Sequence, residues 1–223
     1  MKILCVADQV DPLVYSESVK ERFGDVEMVI SAGDLPMSFL SFLASSLNKP
    51  VAFVFGNHNL KELGRFQGRR SPAELLNNAY GIPPRSYGST YIDGKVRRIK
   101  GLLIGGLGGS IRYNDGEHQF TEGGMRRRIL RLIPRLVFNR IFFGRFLDIF
   151  VTHAPPRYIQ DGEDLPHHGF ECFRWFLRVF KPRYHLHGHI HLYDINAPRT
   201  TNHEQTKVIN VFGYYVLDTE DDR

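Results

Sequence analysis

Five short apolar runs in this chain each stop at a side chain that can bind a metal ion. The run at 2–7 ends at Asp8, and the run at 26–31 ends at Gly33-Asp34. The run at 51–55 ends at Gly56-Asn57-His58-Asn59, and the run at 147–152 ends at His153-Ala154-Pro155-Pro156. The fifth, at 183–187, ends at Gly188-His189-Ile190-His191. Runs of this length, rich in Val, Ile and Phe, read as β-strands. Further strands are expected at 100–105 and at 207–217, the latter split by a turn near Gly213. A strand pair over 87–99 is expected to turn at Asp93-Gly94, a strong hairpin signal. Helices are expected at 14–22, 36–47, 71–79, 122–142 and 168–180. Strands and helices that alternate early, with more strands late, indicate an α/β protein with at least one mixed sheet. A length of 223 residues suits a single domain, expected to cover 1–223, with a large core.

Ligands of α/β sheets bind at the carboxyl ends of the strands. Asp8, Asp34, Asn57, His153, His189 and His191 all fall at such ends. Each signal alone is weak. An aspartate after a strand is usually a cap or turn former, and His185, His187, His189 and His191 could simply line one strand face. Together they predict a centre for one or two divalent cations with mixed oxygen and nitrogen ligands. Glycine precedes Asp34, Asn57 and His189, which lets the backbone turn sharply beside an ion.

The set from Asp8 to His191 resembles the calcineurin-like metallophosphoesterase superfamily. That pattern runs Asp-x-His, Gly-Asp, Gly-Asn-His-Asp/Glu, a lone His after a strand, and Gly-His-x-His. The stretch Thr152-His153-Ala154-Pro155-Pro156 is similar to one bacterial and animal branch of it. The resemblance implies a β-sandwich of two mixed sheets flanked by helices. It implies two divalent metal ions, with Asp34 bridging them, Asp8 and His191 on the first, and Asn57, His153 and His189 on the second. It also implies hydrolysis of a phosphate ester by a metal-bridging hydroxide, with His58 beside the phosphate as general acid. Oxygen ligands plus imidazoles favour manganese, with iron or zinc as alternatives. Two positions depart from the pattern. Val10 stands where the first motif carries histidine, which weakens the first metal position. Asn59 replaces the acid that would orient and charge-stabilise His58. The competing reading is therefore a catalytically weakened, metal-binding scaffold of the same fold.

The remaining signals concern substrate and surroundings. A net charge of +5 favours an anionic partner. No nucleic-acid module is evident, because the basic residues are not interleaved with enough aromatics for a stacking channel. The Gly105–Asn114 loop lacks the Lys-Ser/Thr of a phosphate-binding P-loop. It is expected at the site rim, with Arg112 as a substrate contact and Tyr113 stacking on a base. His168, in the His167-His168-Gly169 turn before a helix, is a second candidate contact. A small anionic phosphodiester or nucleotide-like ester is the expected substrate. Met125, Ile129, Leu132, Ile133, Leu136 and Val137 follow helical spacing, with Arg127, Arg128, Arg131 and Arg135 opposite. This basic segment near 125–146 offers a membrane-surface or protein contact, and Pro134 should kink it or start a second helix. Cys5 and Cys172 read as buried thiols, and no apolar run approaches membrane-spanning length, so the expected location is cytoplasmic.

Overall fold

In strand β1 (Lys2–Ala7) Ile3, Cys5 and Ala7 point to one apolar cluster and Leu4 and Val6 to another. The strand is therefore buried on both faces, which is why its sequence is apolar throughout. The computed structural model describes residues 1–68, 88–194 and 196–220. β1 lies in a five-stranded sheet with β2 (Met28–Ser31), β3 (Val51–Phe53), β4 (Ser89–Tyr91) and β13 (Gly213–Asp218). The order is β13-β1-β2-β3-β4, antiparallel only between β13 and β1. A six-stranded sheet is built from β5 (Lys95–Ile99), β6 (Leu102–Leu107), β9 (Ile149–Thr152), β10 (Tyr184–His187), β11 (Thr200–His203) and β12 (Thr206–Asn210). Its order is β11-β12-β10-β9-β6-β5. Both of its edge pairs are antiparallel and the four inner strands are parallel.

The two sheets face each other across a shared core. Ile3, Met28 and Ile30 of the first meet Ile104, Ile149, Val151 and Ile209 of the second. The outer faces are covered by helices. α1 (Val19–Phe23) and α2 (Met37–Leu47) cover the first sheet. α4 (Glu122–Phe143) and α5 (Glu171–Phe180) cover the second, and the four-residue α3 (Leu63–Phe66) follows the loop after β3. On α5 the buried Phe173, Phe176, Leu177 and Phe180 recur at helical spacing. Each such side chain contributes roughly 1.5–3 kcal/mol by leaving water. The result is two mixed sheets flanked by helices, the architecture the sequence resemblance implies.

Several local expectations change. The pair over 87–99 is not a hairpin. β4 joins the first sheet and β5 the second, so the Asp93-Gly94 turn carries the chain between sheets. Asp93 is fixed there by Tyr91, Gly108 and Arg128. The hairpin is β5–β6, turning at Lys100 and Gly101, whose φ values of 51° and 86° suit a primed turn. That turn takes Lys100 and Gly101 out of the strand expected at 100–105. Gly213 likewise separates strands of different sheets. The helix expected at 14–22 is confined to Val19–Phe23, because Asp11 organises a turn with Leu13, Val14 and Tyr15. β11 and a short parallel pair, β7 (Ser110–Ile111) with β8 (Gln119–Phe120), add to the expected strands. α4 runs as one helix through Pro134, which faces solvent, so the carbonyl it leaves without a partner can meet water. Val137 is exposed rather than inward, and Arg128 turns inward to Asp93 and the Gly108 carbonyl. The helix expected at 71–79 lies outside the described residues. Cys5 and Cys172 are buried free thiols.

Candidate metal centre

The carboxyl ends of β1, β2, β3, β9 and β10 converge at one rim of the sandwich. Asp8, Asp34 and His189 all have left-handed backbones there, with φ of 64°, 57° and 68°. Such residues cost on the order of 1–2 kcal/mol each, so the surrounding contacts must hold them. Asp8 N–H donates to the Gly33 carbonyl at 3.1 Å. Both carboxylate oxygens of Asp8 accept from His189 N–H at 3.0 Å. The Asp34 carboxylate accepts from His58 N–H at 2.8 Å, and its carbonyl accepts from the Asn59 amide at 2.9 Å. Gly56 is required by crowding: a Cβ there would collide with Asp34 Oδ1 and with the His153 ring. Gly188 is required in the same way against Asp8.

His153 Nε2 is the hub of the site. Around it lie Asn57 Oδ1 at 3.1 Å, His189 Nδ1 at 3.1 Å and Asp34 Oδ2 at 3.3 Å. With ligand bonds of about 2.0–2.2 Å, neighbouring donor atoms on one ion stand roughly 3.0–3.5 Å apart. The three contacts to His153 Nε2 therefore have the spacing of donor atoms that share one ion. Asp8, Asp34 and His153 also offer ligand atoms within 4.8 Å of one another. The tautomers fit. His153 Nδ1 donates to the Ala32 carbonyl at 2.9 Å, and His189 Nε2 donates to the Pro166 carbonyl at 2.8 Å. In each ring the remaining nitrogen turns its lone pair into the site when the ring is neutral. The Asn57 amide nitrogen donates to the Tyr113 hydroxyl at 3.2 Å, which turns its oxygen inward.

The electrostatics ask for positive charge. Burial opposes a charge on His153, but the Asp34 carboxylate outweighs it and raises the ring to about 9. Burial likewise works against Asp34, yet His153 and the His58 N–H pull it to about 2. Burial lifts Asp8 to about 6, with His153 opposing and Asp34 adding to the rise. Burial and the neighbouring His153 push His189 down to about 3. Two convergent carboxylates thus share a proton held on an imidazole, a place a divalent cation fits.

The other residues singled out by sequence occupy different places. The His58 side chain is exposed at the rim, and Asn59 spends its amide on Asp34 rather than on the His58 ring. His191 is exposed, with Nδ1 against the Tyr193 hydroxyl at 2.8 Å. Burial and His167 lower its basicity. Val10 packs on the apolar cluster outside the first sheet. Arg112 is exposed, and its backbone N–H pairs with the Phe120 carbonyl. His168 donates to the Glu163 carbonyl at 2.8 Å, whereas the ring of His167 approaches His189 at 5.5 Å between centroids. His185 and His187 face away from the hub. His185 donates to Thr152 Oγ1, and His187 Nε2 donates to Gln160 Oε1. Sequence reasoning missed His118, which donates to the Gly56 carbonyl at 2.7 Å and so braces the loop before Asn57. It also missed the carbonyls of Ala32 and Pro166. A backbone acceptor leaves no signal in residue type.

The sequence profile described as calcineurin-like phosphoesterase matches residues 1–193. One solved crystal structure aligns with a TM-score of 0.63 at 12% identity, over 99% of this chain and 95% of that chain. The crystal structure of TT1561 of Thermus thermophilus aligns with a TM-score of 0.63 at 14% identity, over 100% and 96%. At these identities the likeness is one of fold. A structure described as a novel archaeal phosphodiesterase aligns with a TM-score of 0.44 at 16% identity, over 100% and 96%, too distant to argue from. No curated protein sequence matches the chain.

Proposed function

The chain belongs to the calcineurin-like phosphoesterase family, and from that premise we propose that it hydrolyses a small phosphodiester or nucleotide-like anion. Asp8, Asp34 and His191 would hold the first divalent cation, and Asp34, Asn57, His153 and His189 the second. Manganese suits this mixed donor set best, with iron or zinc as alternatives. The observation that supports the reading is the crowding of three donor atoms within 3.1–3.3 Å of His153 Nε2, with both ring tautomers fixed by carbonyls.

Bound cations supply positive charge against the phosphoryl oxygens and acidify water. The chain's own groups do the rest. Asp34 keeps its charge, and its hydrogen bond from His58 N–H sets the backbone that carries the His58 ring. That ring, exposed at the rim, donates a proton to the leaving oxygen, an effect typically worth about 10²–10⁴-fold. Asn59 gives the ring no anionic partner, so substrate itself must complete its orientation. Arg112, exposed beside Tyr113, is the cation assigned to the phosphate, and His168 is the second contact. Val10 faces the apolar cluster, which leaves the first position short of a ligand. A diester carries one charge fewer than a monoester dianion, and a weaker first cation handles it more readily.

The test is a titration of metal-stripped protein with Mn²⁺, followed by assay. One tight and one weaker site are expected. The loaded protein should hydrolyse bis-nitrophenyl phosphate, or a cyclic or linear dinucleotide, faster than phosphopeptides. The reverse preference overturns the substrate class. Tight Mn²⁺ binding without hydrolysis of any ester assigns the chain to the scaffold reading.

A further inference from the structure

Helix α4 is apolar on two faces. Met125, Ile129, Leu132 and Leu136 are buried against the second sheet. With about 3.6 residues per turn, Leu130, Val137 and Ile141 fall on the opposite side, with Phe138 and Phe142 next to them. These five are 49%, 43%, 71%, 40% and 64% exposed, in that order. The outward face of a surface helix is ordinarily polar, and adjacent exposed apolar side chains of this size mark an interaction site.

Charge narrows the partner. Arg126, Arg127, Arg131 and Arg135 are exposed on the same helix, and no acidic residue follows Glu122 within it. The Arg135 guanidinium lies 4.8 Å from the Phe138 ring centre, so cation and aromatic share one surface. A two-fold pairing of this face with its own copy would gather the arginines of both copies with no acidic residue of the helix after Glu122 to offset them. An anionic sheet of lipid headgroups meets both requirements: phosphates for the arginines and an acyl boundary for the apolar side chains. No helix among the described residues is long and apolar enough to cross a membrane. We propose that the outward face of α4 docks the protein onto an anionic bilayer. The helix lies along the surface, with Phe138, Ile141 and Phe142 in the headgroup–acyl boundary.

The test is flotation of the full chain with phosphatidylglycerol–phosphatidylcholine vesicles and with pure phosphatidylcholine vesicles. The protein should float with the anionic vesicles and bind neutral ones at least about tenfold more weakly. I141E/F142E should lose at least about tenfold in binding, with an unchanged thermal melt, because both side chains are exposed. R131E/R135E should lose binding to a similar extent, and added salt should weaken the wild type. Failure of the wild type to float overturns the proposal. So does anionic binding that survives I141E/F142E, which would place the contact elsewhere. A stable dimer in solution that I141E/F142E splits would give the face to a second copy and also overturn it.

Discussion

The hydroxyl of Tyr113 accepts a hydrogen bond from the side-chain nitrogen of Asn57 at 3.2 Å, and so points the Asn57 oxygen at His153. Without that hydroxyl the amide can rotate and offer its nitrogen, which cannot ligate a cation. Tyr113→Phe should therefore weaken Mn²⁺ binding about 10–100-fold, the usual cost of losing a group that orients a ligand. Calorimetric titration of stripped protein measures it. Unchanged affinity would mean that Asn57 is oriented by other contacts or does not bind the metal.

Two glycine substitutions should behave oppositely. Gly56→Ala drives a methyl group into Asp34 Oδ1 and the His153 ring, both packed in the site. It should abolish tight metal binding and destabilise the fold by about 1–3 kcal/mol. Gly123→Ala, in the first turn of α4, meets nothing within 4 Å and should be neutral or stabilise by up to about 1 kcal/mol. Thermal melts of both variants decide this, and an intact Gly56→Ala site would refute the crowding argument.

His58→Ala should keep its metal but lose about 10²–10⁴-fold in turnover on esters with poor leaving groups. Hydrolysis of a nitrophenyl ester should suffer less, because nitrophenolate leaves without a proton. Equal losses on both substrate types would assign His58 to phosphate binding instead.

Stability of the metal-free protein should fall with acid below about pH 6.5, the ordinary histidine value. Burial holds His185 well below that value and His187 at about 4. The Thr152 hydroxyl donates to the Ala154 carbonyl, so it accepts from His185 Nε2, and the buried Nδ1 has no acceptor to receive a second proton. A depressed folded-state pKa gives stability that is complete above the unfolded value of about 6.5. That stability is lost as pH falls towards the folded value, because the unfolded chain binds more protons. His189, at about 3, adds to the slope, and Asp8, at about 6, subtracts from it. His153, raised to about 9, is protonated throughout this window when folded, whereas its unfolded ring takes up its proton at about pH 6.5. It therefore opposes the slope near that pH and adds nothing once pH is well below it. Each net proton contributes about 1.4 kcal/mol per pH unit. Urea denaturation with chelator at about pH 7, 6 and 5 gives the slope, and His185→Asn should reduce it. An unchanged slope in His185→Asn would show that this ring does not drive the acid dependence.

The sequence by itself determined which donors the chain has and at which strand ends they stand. Asp8, Asp34, Asn57, His153 and His189 each follow an apolar run directly or after a short glycine-containing turn, and strand ends are local features. The same locality made the buried face of α4 legible, since Met125, Ile129, Leu132 and Leu136 lie within a few turns of one another. Only the tertiary structure decided which nitrogen of each ring is free. The acceptor for His153 is 121 positions away and that for His189 is 23 positions away, and both are backbone carbonyls that any residue could supply. Tyr113 likewise meets Asn57 across 56 positions. The Asp93-Gly94 turn illustrates the same limit. Its residues satisfy a hairpin signal, but β4 finds its partner in β3 and β5 in β6. Turn chemistry fixes only the local backbone, while strand pairing is decided by which buried faces the two sheets can share.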